Sequence, residues 1–211
     1  MRVGIIGAGN IGQAVATRLI ASGRHTVLIS NSRGPESLSG LEQELGQAAS
    51  AASTYEAARD GEVIVVATPL AAVPELPAQA LTGKVVVDAN NYYPQRDGTI
   101  AELEDGLGSS EWLAQQVPGA RVVKAFNTMW SENIIHKAVP DGAEERVAMP
   151  VAGDDDEAKA TVSQLIEDMG FDPVDAGTLR DGRRQEPGTP VYNVLLDADG
   201  VRDALDRVPE A

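Results

Sequence analysis

Near its amino terminus the chain carries a Gly-x-Gly-x-x-Gly pattern, Gly7-Ala8-Gly9-Asn10-Ile11-Gly12, directly after residues 2–6, which are apolar from Val3 onward. The apolar residues predict a β-strand, and apolar side chains at helical spacing after the pattern predict an α-helix that ends near Gly23. Three glycines alone are a weak signal, but a strand, a glycine turn and a helix in this order indicate a dinucleotide-binding unit. The first glycine permits a tight turn, the second lets the backbone approach a pyrophosphate, and the third allows the helix to pack on the strand.

Apolar segments and helical patterns alternate along the rest of the chain. Strands are predicted at residues 25–30, 47–53, 62–67, 84–89, 121–126, 146–151 and 171–176. Helices are predicted at residues 36–45, 54–58, 73–81, 109–117 and 153–169. Proline is expected to disturb the start of the helix at 73–81, and Ser109 or Ser110 is the expected N-cap of the helix at 109–117. Alanine leaves helix and strand in competition over 47–53. The alternation predicts an α/β fold of the Rossmann type, with a doubly wound, mainly parallel sheet and a short C-terminal extension.

The residues after the second predicted strand distinguish between the two common dinucleotides. NAD-selective sites commonly place an acidic residue there to hold the ribose 2′-hydroxyl. This chain instead has Asn31, Ser32 and Arg33. Asn31 and Ser32 can donate hydrogen bonds, and the guanidinium of Arg33 can make a charge-assisted contact with a 2′-phosphate. A polar loop with an incidental arginine is the alternative, and we predict NADP(H) rather than NAD(H).

The domain organisation follows from these segments. We expect an NADP-binding domain over residues 1–178, with its core nucleotide-binding part at 1–130, and a C-terminal extension over residues 179–211. Proline and glycine within 187–190 favour an extended arm over a continued helix. Such an arm either docks on a partner subunit or is a loosely ordered terminus.

Compact polar or turn-forming residues follow three of the predicted strands. They are Thr68-Pro69-Leu70, Asn90-Asn91 and Asn127-Thr128. Because ligands of open α/β sheets bind beyond the carboxyl ends of the strands, we expect these residues to border one crevice. The loop at 92–98 is rich in hydrogen-bonding groups and either covers this crevice or is a surface connection.

The composition excludes several other classes of function. A formal net charge of −15 argues against nucleic acid or an anionic membrane surface as a partner. The chain has no cysteine, which excludes disulfides, thiolate metal sites and a cysteine nucleophile. His25 and His136 lack metal-ligand spacing, and the aspartates at 154–156 are expected to cap a helix rather than to bind a metal. No apolar run reaches the length of a membrane span, so we expect a soluble cytoplasmic protein.

Six segments together resemble the NADP oxidoreductase, coenzyme F-420-dependent family. They are residues 7–12, 31–33, 67–69, 87–90, 123–128 and 151–155. The sequence from Lys124 to Thr128 is also similar to a pattern in the cytosolic reductase domain of the six-transmembrane ferric reductases. The resemblance implies hydride transfer between NADPH and an 8-hydroxy-5-deazaflavin, coenzyme F-420, as co-substrate. The predicted cofactor contacts are residues 7–12, Asn31, Ser32, Arg33, Thr68, Pro69, Leu70, Asn90 and Asn127.

On this resemblance the reaction requires close alignment of cofactor and acceptor and no acid or base from the protein. The predicted platform for nicotinamide and acceptor consists of Thr68, Pro69, Asn90, Phe126 and Asn127. Relatives with different acceptors share the cofactor motifs, so two alternatives stay open. One is an NADPH-dependent reductase of a flavin, a ferric chelate or an imine, and the other is a non-catalytic NADP(H)-binding sensor. We expect a homodimer.

Overall fold

The computed structural model describes residues 1–139 and 146–208. Within these ranges the strands are β1 (Arg2–Ile6), β2 (Thr26–Ser30), β3 (Ala49–Ala51), β4 (Val63–Val66), β5 (Val85–Asp88), β6 (Arg121–Lys124), β7 (Ala148–Gly153) and β8 (Asp172–Asp175). They form a sheet in the order β3-β2-β1-β4-β5-β6-β7-β8. Neighbouring strands run parallel except β6 and β7, which are antiparallel. The predicted Rossmann-type, mainly parallel sheet is confirmed.

Helices cover both faces of this sheet. They are α1 (Asn10–Ala21), α2 (Ser39–Leu45), α3 (Thr54–Asp60), α4 (Ala78–Leu81), α5 (Pro94–Asp97), α6 (Ala101–Glu104), α7 (Ser109–Gln116), α8 (Ser131–His136), α9 (Asp156–Met169) and α10 (Ala198–Asp206). Short 3-10 helices lie at Pro35–Leu38, Leu70–Glu75 and Arg180–Gln185. Across residues 1–139 and 146–208, every helix is too short or too polar to span a membrane.

Two hydrophobic clusters lie on opposite faces of the sheet. One contains side chains of α1, α8 and α9, and the other contains side chains of α3, α4 and α7. Because helices cover both faces, a central strand is apolar at every position rather than at alternate ones. All four residues of β4 are buried for this reason.

The segment predicted as a single helix at 73–81 is in fact two shorter helices. The 3-10 helix at Leu70–Glu75 contains Pro74, and α4 begins directly after Pro77. Proline has no N–H to donate and its ring clashes with the preceding turn, so it interrupts a continuous α-helix. The predicted disturbance of the helix start by proline is confirmed, but it extends further than predicted, so the α-helix covers only Ala78–Leu81.

The starts of two longer helices test the predicted N-caps. At α9 the side chain of Asp155 accepts a hydrogen bond of 2.8 Å from the N–H of Ala158, which confirms the capping prediction for the aspartate run. At α7 the N-cap is Gly108, so the prediction of Ser109 or Ser110 is wrong. Both serine hydroxyls point instead into a buried polar network described below.

An amphipathic helix lies where an extended arm was expected. The buried residues of α10, Val201, Ala204 and Leu205, pack against β7 and β8. Asp197 caps this helix by accepting a hydrogen bond of 2.8 Å from the N–H of Gly200. The arm prediction is therefore wrong for residues 198–206, which fold onto their own chain. The predicted extension ends at residues 209–211, outside the described residues.

The position of β1 determines where a crevice opens. β1 pairs with β2 on one side and with β4 on the other, so the winding of the chain reverses between β1 and β4. Such a switch point leaves a crevice beyond the carboxyl ends of the two strands. Gly7 follows β1 directly and Thr68 follows β4 closely, so both of these predicted segments lie at this crevice.

Candidate functional site

Two glycines of the turn between β1 and α1 lie against neighbouring backbone. Gly7 has a φ of +115°, and a Cβ there would lie 2.2 Å from the carbonyl oxygen of Ala67. A Cβ on Gly12 would lie 1.9 Å from the carbonyl oxygen of Gly7. Gly7 is therefore required for backbone conformation and close approach, and Gly12 for the packing of α1 on the turn.

Gly9 faces open space at the amino end of α1. A Cβ on it would meet no atom within 4 Å. The helix that follows has 12 residues, no side-chain cap and no acidic residue in its first turn. The first N–H groups of a helix lack intrahelical partners and carry the positive end of the helix dipole. The exposed backbone at Gly9 thus forms a cradle suited to an anion such as a pyrophosphate.

The loop after β2 presents the residues predicted to contact a 2′-phosphate. Asn31 accepts a hydrogen bond of 2.9 Å from the backbone N–H of Arg33, and its own amide donates one of 2.9 Å to Ser37. These bonds shape the loop and leave the Arg33 side chain exposed. Among residues 1–139 and 146–208, its guanidinium has no ion-pair partner. A free guanidinium at this position is available for a phosphate.

Two cavities meet over the glycine turn. The first, called here the Arg33 cavity, has a volume of about 750 Å³ and is lined in part by Gly7, Ala8, Asn31, Ser32, Arg33 and Tyr55. The second, called the Tyr93 cavity, has a volume of about 360 Å³ and is lined in part by Asn10, Ile11, Asn90, Tyr93, Asn127 and Tyr192. Both cavities are bordered by Gly9, Ala67, Thr68 and Pro69. They form one cleft beyond the carboxyl ends of the central strands.

Three buried polar atoms of residues in this cleft have no hydrogen-bond partner within the described part of the chain. They are Thr68 Oγ1, Asn90 Nδ2 and Asn127 Oδ1. Asn127 is fixed through its Nδ2, which donates to Asn91 Oδ1 at 3.0 Å and to the carbonyl oxygen of Gln185 at 2.7 Å. A buried polar group without a partner costs free energy, and a polar ligand removes that cost. The set suits a ligand that both donates and accepts hydrogen bonds.

A buried ion pair lies beneath the Tyr93 cavity. The side chains of Lys124 and Asp88 are both 0% exposed, and Lys124 Nζ lies 3.3 Å from Asp88 Oδ2. Lys124 also donates to the carbonyl oxygen of Asn90 at 3.1 Å and to Ser109 Oγ at 2.9 Å. Asp88 accepts from the N–H of Asn90 at 3.0 Å and from Ser110 Oγ at 2.5 Å. The network therefore holds both backbone polar groups of Asn90, whose side chain lines the cavity.

Most of the predicted site residues lie along this cleft. Residues 7–11, 31–33, 68, 69, 90 and 127 line one cavity or both. Gly12 lines neither cavity and packs beneath the turn instead. Leu70 and Phe126, which were predicted to contact cofactor or acceptor, are core side chains with exposures of 0% and 1%. The positive φ of Phe126, 66°, lies in the turn that leads into Asn127.

Several residues of the Tyr93 cavity were not predicted from the sequence. They are Met129, Trp130, Tyr192 and Asn193. Tyr93 and Arg96 belong to the loop at 92–98, and their position favours the covering role of that loop over a plain surface connection. Tyr192 and Asn193 enter from the C-terminal segment, for which the sequence offered no signal. Within the described ranges, Phe126 and Asn193 are the only non-glycine residues with positive φ, a strain typical of functional sites.

Comparisons with known proteins agree on the type of fold, and two of them name NADP. A family model described as NADP oxidoreductase, coenzyme F-420-dependent, matches residues 2–92. The chain is 35% identical over 187 residues to Metalloreductase STEAP3 of Rattus norvegicus, which covers 88% of this chain and 36% of that longer protein. The chain thus spans about a third of its curated relative.

Two solved structures cover nearly the whole chain. The hypothetical protein SMa0349 from Sinorhizobium meliloti superposes with a TM-score of 0.80 at 34% sequence identity, covering 93% of this chain and 94% of that one. A protein of Arthrobacter sp. FB24, provisionally described as an F-420-dependent NADP reductase, superposes with a TM-score of 0.72 at 26% identity. That match covers 87% of each chain.

Proposed function

Since residues 2–92 match the model of the NADP oxidoreductase, coenzyme F-420-dependent family, we propose that the chain is a member of this family and transfers hydride between NADP(H) and a deazaflavin-like acceptor. The observation that carries the proposal is the continuous cleft, in which the Arg33 cavity and the Tyr93 cavity meet over Gly9. A dinucleotide with a 2′-phosphate needs a cationic end, a bare backbone cradle in the middle and a polar end for the nicotinamide. The cleft offers these surroundings in that order.

The residues present fit the cofactor. Ser32 and Arg33 would hold the 2′-phosphate, and the amino end of α1 would hold the pyrophosphate. The partnerless atoms of Thr68, Asn90 and Asn127 match the donor and acceptor groups of a nicotinamide carboxamide. When bound, NADPH supplies the hydride, and the chain contributes alignment of the two rings and exclusion of water.

The walls of the Tyr93 cavity favour a flat, conjugated acceptor. Tyr93, Trp130 and Tyr192 all line it, and Trp130 is 63% exposed beside the cavity. Aromatic side chains stack favourably on other ring systems. These walls support a deazaflavin-like or flavin-like acceptor over a small aliphatic imine.

A ferric chelate is the second candidate acceptor, because the rat relative is a metalloreductase. In this alternative the cleft binds NADPH in the same way, and only the electron acceptor differs. An NADP(H)-binding sensor without turnover is the third.

An acceptor panel tests these candidates. Purified protein and NADPH are mixed in turn with oxidised coenzyme F-420, FMN, ferric citrate, a cyclic imine and a quinone, while NADPH binding is measured separately by fluorescence titration. We expect bleaching of the visible deazaflavin absorbance, and none when protein or NADPH is left out. Reduction of ferric citrate alone would replace the leading proposal with the second. NADPH binding without reduction of any acceptor would favour the sensor.

We also propose that the protein is a homodimer. Trp130, Val194 and Leu195 are large apolar side chains that stay 63%, 48% and 40% exposed in the single chain. Exposed apolar residues of this size are typical of protein contacts when they are grouped. Size-exclusion chromatography with light scattering is expected to give twice the chain mass, and a monomer at micromolar concentration would contradict the proposal.

A further inference from the structure

We propose that Tyr93 is a general acid that protonates the acceptor as the acceptor receives hydride, with Tyr192 and Arg96 stabilising the resulting phenolate. The acceptor is then an organic molecule whose reduction adds both a hydride and a proton, as at a carbon and a nitrogen of a deazaflavin ring or at two nitrogens of a flavin ring. This inference rests on the proposed function, which supplies the hydride.

The first support is the meeting of two phenols inside the cleft. The hydroxyl groups of Tyr93 and Tyr192 are hydrogen-bonded to each other although 99 residues separate them in the chain. Both side chains line the Tyr93 cavity together with Asn90 and Asn127. Among ionisable groups, a phenol is one of the few that can carry a transferable proton without bearing charge in its resting state.

Each phenol is held in place by its own backbone. The N–H of Tyr93 donates a hydrogen bond of 2.9 Å to Asp97 Oδ2, where α5 begins. Next to Tyr192, Asn193 adopts a φ of 56° and donates its N–H to the carbonyl oxygen of Thr128 at 2.8 Å. This hydrogen bond ties the backbone next to Tyr192 to the turn that follows β6.

The electrostatic surroundings suit an acid that is neutral at rest. Burial, followed by the hydrogen bond with Tyr192, raises the pKa of Tyr93 to about 12, so the phenol is protonated at neutral pH, and the charge of Arg96 opposes this rise. Arg96 Cζ lies 5.0 Å from the centroid of the Tyr93 ring. A cation at that distance stabilises negative charge that develops on the phenol as its proton leaves.

The step balances without another reagent. The acceptor gains two electrons and one hydrogen as hydride from the reduced nicotinamide, and one proton from Tyr93 Oη. The O–H bond of Tyr93 breaks as the new N–H or O–H bond of the acceptor forms. The Tyr93 phenolate then accepts a hydrogen bond from Tyr192 and regains its proton from solvent. A ferric chelate takes single electrons and needs no such proton, so the phenol pair would have no role in its reduction.

The test compares Tyr93→Phe and Tyr192→Phe with the wild-type chain. Tyr92→Phe is the matched control, because the Tyr92 hydroxyl bonds to the carbonyl oxygen of Gly98 at 3.1 Å and to Glu104 at 2.9 Å and lines neither cavity. Three quantities are measured for each: NADPH affinity, the rate of coenzyme F-420 reduction in water and in deuterium oxide, and the ultraviolet titration of tyrosinate in the cofactor-free protein.

We expect Tyr93→Phe to slow coenzyme F-420 reduction by about 100-fold or more while NADPH affinity changes by less than about twofold. Tyr192→Phe should slow coenzyme F-420 reduction by about tenfold. It should also lower the pKa of Tyr93 in the cofactor-free titration, because the hydrogen bond that helps to raise this pKa is lost. Tyr92→Phe should retain the wild-type rate and the wild-type solvent isotope effect.

The possible failures are distinguishable. If the wild-type chain does not bind NADPH, the proposed function fails and the inference fails with it. If Tyr93→Phe binds NADPH and reduces coenzyme F-420 at the wild-type rate, only the inference is overturned. Reduction of ferric citrate alone, at equal rates in Tyr93→Phe and wild type, also overturns it.

Discussion

At the scale of single residues, the glycines of the turn differ in what their missing side chains permit. Gly7 and Gly12 lie against neighbouring backbone, so an added Cβ there would disturb the fold. Gly9 lies against open space and has φ −81° and ψ −172°, which any residue can adopt. Its lack of a side chain therefore leaves room for a ligand that approaches the turn from outside.

We expect Gly9→Ala to lower the free energy of unfolding by no more than about 1 kcal/mol, since Gly9 is the N-cap of α1, and to weaken NADPH binding by about tenfold or more. The added methyl group would occupy space that a pyrophosphate needs. Gly40→Ala is the control, since Gly40 is exposed on α2, its Cβ would also meet no atom within 4 Å, and it lines neither cavity. Urea denaturation and fluorescence titration measure the two effects, and unchanged NADPH affinity in Gly9→Ala would contradict the cradle.

Arg33 is expected to select between the two dinucleotides. Its exposed guanidinium has no ion-pair partner within residues 1–139 and 146–208, so a bound phosphate would be its first. Arg33→Ala should weaken NADPH binding by about 10- to 100-fold, because a hydrogen bond to a charged group is lost. It should weaken NADH binding by less than about threefold, because NADH has no 2′-phosphate. Arg202→Ala, which removes an arginine side chain that is 57% exposed on α10, should alter neither affinity. Equal losses for NADPH and NADH would contradict the 2′-phosphate assignment.

At the scale of elements, the buried ion pair joins β5, β6 and α7 beneath the site. Lys124 at the end of β6 reaches Asp88 at the end of β5 and Ser109 at the start of α7. Removal of one member of a buried pair leaves the other charged and uncompensated, which is strongly destabilising. The pair therefore fixes three element ends in relation to Asn90.

We expect Lys124→Met to lower the free energy of unfolding by about 3–5 kcal/mol, because the carboxylate of Asp88 is left buried without its cation. The double variant Asp88→Asn with Lys124→Met should recover part of that loss, since no buried charge remains. Urea denaturation of the wild-type chain and both variants measures the free energies of unfolding. A loss below about 1 kcal/mol in the single variant would show that Asp88 does not depend on the charge of Lys124 for its burial.

At the scale of the whole molecule, Asp168 links the first half of the chain to the second. The carboxylate at the end of α9 accepts hydrogen bonds from His25, beside β2, at 2.8 Å and from Arg24. Burial acts to raise the pKa of Asp168, but the bonds from His25, Arg24 and Gln164 outweigh it and hold the pKa below its usual value. A carboxyl group whose pKa is lowered by folding stabilises the folded state above the pKa of the unfolded chain, about 3.9.

The sign of this effect predicts an acid-sensitive contribution to stability. It is fully present at neutral pH and is lost as the pH falls below about 4 and through the folded pKa. Asp168→Asn should be less stable than wild type by about 2 kcal/mol at pH 7, and the difference should shrink in acid. Thermal unfolding from neutral to acidic pH measures it, with Asp199→Asn, 92% exposed on α10, as control. A difference that does not depend on pH would exclude this role for Asp168.

Much of the cleft was accessible from sequence. The strands, the glycine turn and the polar residues after β2, β4, β5 and β6 were all predicted near their observed positions. Such features depend on hydrophobic periodicity and on the conformational freedom of glycine, and both can be recognised from a short stretch of sequence. The carboxyl ends of parallel strands meet at one edge of the sheet, so the gathering of those residues follows from the strand pattern.

Other parts of the site depend on contacts between distant segments. Tyr93 meets Tyr192 across 99 residues, Lys124 meets Asp88 across 36, and Asn127 meets Gln185 across 58. The core burial of Phe126 and the helix α10 at the C-terminus likewise follow from packing against the sheet. Sequence pattern was enough for the sheet and its glycine cradle, because these depend on local chemistry. Only the tertiary structure decided which phenol, amide and cation share the cavity, because free energies of packing and burial depend on partners that are far apart along the chain.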